Sequence, residues 1–308
     1  MKKDQKIYIA GQEGMVGSAV YRLLKKKKYK IIDCNRKQLD LTSQDSVDKW
    51  FKKNKPEIVI NAAGKVGGIL DNSKYQSDYL YINTMIGMNL INASFKYKIK
   101  KLINLGSACI YPRNSKQPIK EEYLLNSPLE KTNEGYALAK ILILKYCHFL
   151  KQKNNNFTSL QPANLYGEND NFNLLSSHVM PALIKKFHVA KTKKLKEVEV
   201  WGTGNVKREF LHVDDLADAI FFLLRKKISY DFVNVGGGGY ISIKNLAKKI
   251  KKITKYEGKI VFNTKYPDGV INRKMSLKRM SNLGWKSKIN LDDGILDYYK
   301  FFKKIYKQ

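Results

Sequence analysis

Along the first half of the chain, short apolar runs alternate with longer stretches whose apolar residues recur at helical spacing. Lys6 to Ala10 predicts a strand, and Val16, Ala19, Val20, Leu23 and Leu24 then fall on one face of an amphipathic helix. Lys30 to Asp33 predicts a second strand. Glu57 to Ala63, introduced by Pro56, reads as a buried strand, and Lys101 to Gly106 as another that ends at Ser107. Tyr136 to Leu150 has the length of a long helix, and Thr158 to Pro162 of a further strand. Alternation of this kind implies an α/β fold, a doubly wound parallel sheet with helices on both faces.

Beyond Pro162 the pattern is irregular. Glu197 to Trp201 predicts a strand closed by Gly202-Thr203-Gly204, and Asp214 to Leu224 a helix with two acids near its positive N-terminus. Phe232 to Val235 predicts a strand running into Gly236 to Gly239. Ser242 is placed to cap a helix over Ile243 to Ile253. A last helix spans about Leu291 to Tyr306. No repeat or low-complexity linker separates the halves, so the second lobe is expected to be smaller and interleaved with the first.

Composition changes this picture only in part. The 308 residues suit one large α/β unit plus a smaller lobe, and 43% hydrophobic residues are enough for real cores. No stretch approaches the roughly 18 apolar residues of a membrane span. The apolar run after Met1-Lys2-Lys3 is too short for a secretory signal. Three cysteines, Cys34, Cys109 and Cys147, are far apart and not in metal-ligand spacing, so no metal is expected and a reducing cytoplasm fits. The net charge of +31 comes mostly from lysine runs spread over the whole chain. It reads as a solvated surface that steers anions, not as a specific nucleic-acid site.

Two segments carry the chemistry. Gly11-Gln12-Glu13-Gly14-Met15-Val16-Gly17 follows the first strand and opens the first helix, the context in which glycines let a backbone approach a pyrophosphate. The second strand ends in Asp33-Cys34-Asn35-Arg36. An acid there favours a free ribose hydroxyl and an arginine a 2′-phosphate; Arg36 tips the reading toward NADP. Farther on, Tyr136 and Lys140 stand four apart on one helix face, downstream of Ser107. A lysine charge beside a phenol, with a serine hydroxyl on the same substrate oxygen, makes a proton relay for a carbonyl being reduced.

The glycine spacing with Ser107 and Tyr136-x-x-x-Lys140 resembles the extended short-chain dehydrogenase/reductases. Ala62 to Ile69, Gly106 to Pro112, Pro162 to Gly167, Asp170 to Phe172, Ser177 to Leu183, Val200 to Gly204, Arg208 to Asp215 and Pro267-Asp268-Gly269 narrow the resemblance, colinear over nearly the whole chain, to the GDP-L-fucose synthase family. That resemblance implies a Rossmann-type domain over 1-165 plus about 211-236, and a substrate lobe over about 166-210 plus 237-308. It implies C3 and C5 epimerisation of GDP-4-keto-6-deoxy-D-mannose, then NADPH reduction at C4, by a homodimer.

The resemblance also implies roles. Tyr136 would protonate the C4 oxygen, Lys140 would hold the nicotinamide ribose and lower the tyrosine pKa, and Ser107 would bind the same oxygen. Cys109 and His178 would be base and acid of the epimerisations. Gly11, Gly14, Met15, Val16, Gly17, Arg36, Leu105, Gly106, Lys140, Pro162, Asn164, Leu165 and His178 would line NADP(H). Lys186, Trp201, Arg208 and Asp268 would contact the GDP-sugar. His212 reads as structural, beside the Asp214-Asp215 turn. The chain departs from the family at Gln12-Glu13, where a basic residue for the 2′-phosphate is typical, at Ala108 for a serine, and at Gly135 for a proline that firms the helix start. A related GDP-keto-sugar enzyme acting on a 3-deoxy or heptose ketone is the nearest alternative. A non-catalytic nucleotide-sensing or RNA-binding protein on the same fold is a more distant one.

Overall fold

The computed structural model describes residues 1–153, 155–266 and 268–306. Pro267, which the sequence groups with Asp268 and Gly269, lies outside them. The first part of the chain runs β1 (Ile7–Ala10), α1 (Met15–Lys26), β2 (Ile31–Ile32), α2 (Gln44–Asn54), β3 (Ile58–Asn61), α3 (Ile69–Lys74), α4 (Gln76–Lys96), β4 (Lys101–Leu105), α5 (Glu134–Lys151) and β5 (Phe157–Pro162). Then come β6 (Asn164–Tyr166), α6 (Val179–Thr192), β7 (Glu197–Trp201), β8 (Lys207–His212), α7 (Val213–Leu224), β9 (Phe232–Val235), β10 (Tyr240–Ser242), α8 (Ile243–Thr254), β11 (Lys259–Asn263), β12 (Asn272–Arg273), α9 (Lys278–Leu283) and α10 (Leu291–Ile305).

The expected parallel sheet is present, with six strands in the order β2-β1-β3-β4-β5-β9 and every pairing parallel. Alternate residues of its strands feed opposite faces. Ile7 and Ile9 join a core built with α1 and α7, whereas Tyr8 and Ala10 join one built with α2, α4 and α5. A strand buried on both faces cannot alternate polar and apolar, which is why these runs read as continuous apolar segments. The second strand is shorter than expected, only Ile31–Ile32.

The chain leaves β1 in one direction and β3 in the other, so the switch point lies between them, where ligands bind parallel α/β sheets. Lys101 opens β4 in a buried position. Its ammonium donates to the Leu223 carbonyl at 2.6 Å, at the C-terminal end of α7, and burial pushes its pKa down to about 8.

The remaining strands form two small sheets. One has the order β10-β8-β12, with β6 also on β8, and the other pairs β7 with β11. A third apolar cluster, with Tyr166, Leu183, Phe187, Leu246, Ile295 and Phe302, packs α6, α8 and α10 together. The Ser242 hydroxyl accepts from Asn245 N at 3.2 Å, the expected cap of α8. Met280 and Trp285, late in the chain, pack back onto the α1–α7 core. Phe187 is fully buried in the third cluster. Phe187→Ala is expected to lower unfolding free energy by about 3–5 kcal/mol in urea melts, the cost of a large aromatic cavity.

Candidate active site

At the switch point, Gly11 has φ +78°, and a side chain there would lie 2.8 Å from the Ala63 Cα. A Cβ at Gly17 would come within 2.0 Å of the Gly11 carbonyl oxygen, so α1 packs directly on the turn. At Gly14 the nearest such atom is 3.4 Å away, so that side of the turn has room. Gly14 caps α1 with no side-chain bond and no acid in the first turn, leaving backbone donors aimed at an anion. The Gln12 Oε1 is buried with no partner among the described residues. Close backbone and free donors fit a dinucleotide pyrophosphate. Arg36 is exposed beyond β2, beside Asp40, whose carboxyl is held low first by the Thr42 hydroxyl and less by Arg36.

The second half of the site is the end of β4. A Cβ on Gly106 would sit 2.0 Å from the Gln161 side-chain oxygen, which also accepts the Ser107 N–H at 2.8 Å. The Ser107 hydroxyl accepts from Cys109 N at 3.1 Å and starts a single 3-10 turn over Ala108–Ile110. Ser107 and Cys109 are thereby presented from one tight turn. Asn133, at the start of α5, donates its side-chain amide to the Cys109 Sγ at 3.3 Å, and its Oδ1 is buried without a partner among the described residues.

One turn into α5, Tyr136 and Lys140 share a face as the spacing required. Lys140 Nζ lies 5.7 Å from the Tyr136 ring centre and donates to the Leu105 carbonyl at 3.0 Å. Tyr79 meets the same ring edge-on at 6.1 Å, and its hydroxyl is bonded to Asp71. Burial pushes the Tyr136 pKa up, nearby Cys109 adds to it, and the Ser107 hydroxyl opposes both. This differs from the lysine-lowered tyrosine expected from the sequence: the lysine charge is turned to a carbonyl and is itself desolvated, its pKa pushed down to about 8. The Gly135 that replaces a proline does not loosen α5, which starts one residue earlier at Glu134. Its N–H donates to the Gln76 side chain at 3.1 Å, and a Cβ would meet the Gln76 carbonyl at 2.4 Å.

His178 is the N-cap residue of α6. It is solvent-accessible, and the protein packed around it lowers its imidazole pKa. The loop that reaches it is tied to the 64–68 segment, where Gly68 N donates to Ser176 O at 2.8 Å. Arg208 on β8 has its pKa pushed down to about 10, first by burial and then by Arg273, with Cys109 among the groups opposing this. Cys109 therefore lies near both Tyr136 and Arg208. Trp201 stacks on Tyr266 at 4.2 Å and carries Lys186 Nζ 4.8 Å above its ring. The Asp268 carboxylate closes the Gly202–Gly204 turn through Thr203 N at 3.0 Å and its hydroxyl at 2.7 Å. Asn164 holds the Glu209 carbonyl at 3.0 Å, and Leu165 packs against the α1–α7 core. His212 is structural as expected, its Nδ1 accepting from Asp214 N at 3.2 Å.

The pattern of the NAD dependent epimerase/dehydratase family matches residues 7–236. The chain belongs to this family. A GDP-L-fucose synthase of Sinorhizobium fredii is 45% identical over 97% of this chain and 95% of its own length. A GDP-6-OMe-4-keto-L-xylo-heptose reductase from C. jejuni superposes with a TM-score of 0.92 at 37% identity, over 99% of both chains. A GDP-L-fucose synthetase from Naegleria fowleri bound to NADP superposes with a TM-score of 0.91 at 27% identity, covering 99% of this chain and 94% of the other.

Nothing in the sequence alone singles out Asn133, Gln161, Tyr79 and Arg273. Each is an ordinary residue whose place at the site comes from a contact remote in sequence. Arg273 on β12 is buried and donates to the Ala108 carbonyl at 3.2 Å, inside the turn that bears Ser107 and Cys109.

The buried Lys140 generates a pH signature in the ligand-free protein. Its folded pKa of about 8 lies below the unfolded lysine value of about 10.4, so between them the folded state binds fewer protons. Stability from this group rises with pH across that window and is lost as pH falls through about 8. In urea melts from pH 7.5 to 10, wild-type stability measured relative to Lys140→Met is expected to climb; a flat difference would refute the desolvated lysine.

Proposed function

We propose that the protein converts GDP-4-keto-6-deoxy-D-mannose to GDP-L-fucose by epimerisation at C3 and C5, followed by NADPH-dependent reduction at C4. What supports this reading is the Ser107–Ile110 turn, whose Cys109 lies near Tyr136 and accepts a hydrogen bond at its thiol from Asn133 at the start of the same helix. A plain ketone reductase has no use for that thiol. The full-length similarity to named GDP-L-fucose synthases supplies the sugar.

A C4 ketone acidifies the hydrogens on C3 and C5. The Cys109 thiolate takes one, and the electron pair moves onto the C4 oxygen, where Ser107 and Tyr136 can donate. His178, when protonated, returns a proton to the opposite face of the ring. Its lowered pKa makes the imidazolium a stronger acid for that step. Solvent resets thiol and imidazole, and the exchange is repeated at the second carbon. NADPH, when bound, supplies the hydride for C4. Tyr136 then gives its proton to the C4 oxygen; burial keeps that proton in place beforehand. Gly11, Gly14 and the first turn of α1 would hold the pyrophosphate, Lys140 the nicotinamide ribose and Arg36 the 2′-phosphate. Leu105, Gly106, Pro162, Asn164 and Leu165 would line the dinucleotide. Arg208, Lys186, Trp201 and Asp268 would serve the GDP-sugar.

We also infer a cytoplasmic homodimer built on α4 and α5. Leu138, Leu142 and Phe149 lie exposed along one face of α5, and Tyr81 and Phe95 along one face of α4. Among the described residues no helix is long and apolar enough to cross a membrane.

Two variants separate the stages. Tyr136→Phe is expected to lose reduction by about 10²–10⁴-fold while still washing deuterium from solvent into C3 and C5 of the keto-sugar. Cys109→Ser is expected to lose wash-in first. Wild-type protein that leaves this substrate untouched but consumes NADPH with a heptose or 3-deoxy ketone would move the assignment to a related enzyme.

A further inference from the structure

Three arginines elsewhere in the fold have acidic partners. Arg22 meets Glu168 and Asp214, Arg113 meets Glu130, and Arg279 meets Glu121 and Glu122. Arg208 and Arg273 form no ion pair among the described residues. Yet Arg273 is only 8% exposed, and its Nε is buried with no hydrogen-bond partner among them. A buried guanidinium without a counter-charge is costly, and the cost is relieved when an anion arrives.

The two arginines are neighbours by construction. In the parallel β8–β12 pair, Arg273 stands opposite Arg208, so their side chains leave the same face. Acids near them are already committed. Glu209 points to the other face and accepts Gly238 N and Met275 N, each at 2.8 Å. Asp268 is tied to Thr203. Among the described residues, Arg208 itself donates only to the adjacent Lys207 carbonyl at 2.9 Å. Of the Arg273 donors, Nη1 is bonded to the Ala108 carbonyl.

We propose that Arg273 is a second guanidinium of the nucleotide-sugar site, receiving diphosphate oxygens together with Arg208 while its Nη1 pins the Ser107–Cys109 turn. This deepens the GDP-sugar reading and rests on it. Two planar forks side by side match a diphosphate, which offers oxygens on both phosphorus atoms. The pin on Ala108 ties occupation of that anion site to the placement of the reacting groups.

Calorimetric titration of wild type, Arg273→Gln and Arg273→Met with GDP and with guanosine tests this, alongside the melting temperature of each ligand-free protein. In both variants GDP is expected to weaken about tenfold or more, as for loss of a charged hydrogen bond. Guanosine should stay within about twofold, and the ligand-free melting temperature should equal or exceed wild type, because an unpaired buried charge has been removed. GDP affinity unchanged in the variants would overturn the proposal. So would equal losses for GDP and guanosine with a lower melting temperature, which would make Arg273 only a pin, or failure of both variants to fold. Wild type that does not bind GDP would instead overturn the GDP-sugar reading itself.

Discussion

Everything in the site depends on how tightly the chain turns as it leaves β4. Gly106 is pressed against Gln161 of the next strand, with no space for even a methyl group. The same glutamine oxygen holds Ser107 N, the Ser107 hydroxyl holds Cys109 N, and Arg273 holds the Ala108 carbonyl. Four consecutive residues, Gly106 to Cys109, are therefore positioned by four fixed contacts, contributed by β5, the turn itself and β12. A looser exit from β4 would still deliver a serine to the sheet edge, but would not hold Ser107 and Cys109 in one turn.

The charges follow from the same crowding. Burial raises the phenol of Tyr136 and lowers the ammonium of Lys140, and the protein packed around the exposed His178 lowers its imidazole, each toward its neutral form. A site of groups kept neutral but able to exchange protons suits repeated transfers to and from carbon and oxygen. Arg208 and Arg273 are the exceptions. Guanidiniums are the side chains that hold their charge best, and for that reason we place the proposed diphosphate subsite on them.

Much of this was legible in the sequence, because the signals were local. The strand–glycine–helix pattern at Gly11 to Gly17, the four-residue spacing of Tyr136 and Lys140, and the Ser242 cap each depend on backbone geometry over a few residues. The six-stranded sheet followed from apolar runs that are buried on both faces. What was not legible rests on contacts between distant segments. Asn133 reaches Cys109 across 24 residues and Arg273 reaches Ala108 across 165, and nothing near either residue announces its partner. The direction of the Tyr136 shift was also hidden, since the spacing places Lys140 beside the ring without revealing that its ammonium turns to the Leu105 carbonyl. The short β2 and the firm start of α5 at Gly135 depend likewise on packing, the latter on Gln76 of α4.

The central claim is that one pocket inverts two carbons and then reduces the ketone between them. Its most direct test is a single turnover of the wild-type protein on GDP-4-keto-6-deoxy-D-mannose with NADPH in heavy water, with the product read by NMR. The account predicts GDP-L-fucose carrying deuterium at both C3 and C5 and protium at C4. Product reduced at C4 with no deuterium at C3 or C5 would contradict it, since Cys109 and His178 would then have moved no proton.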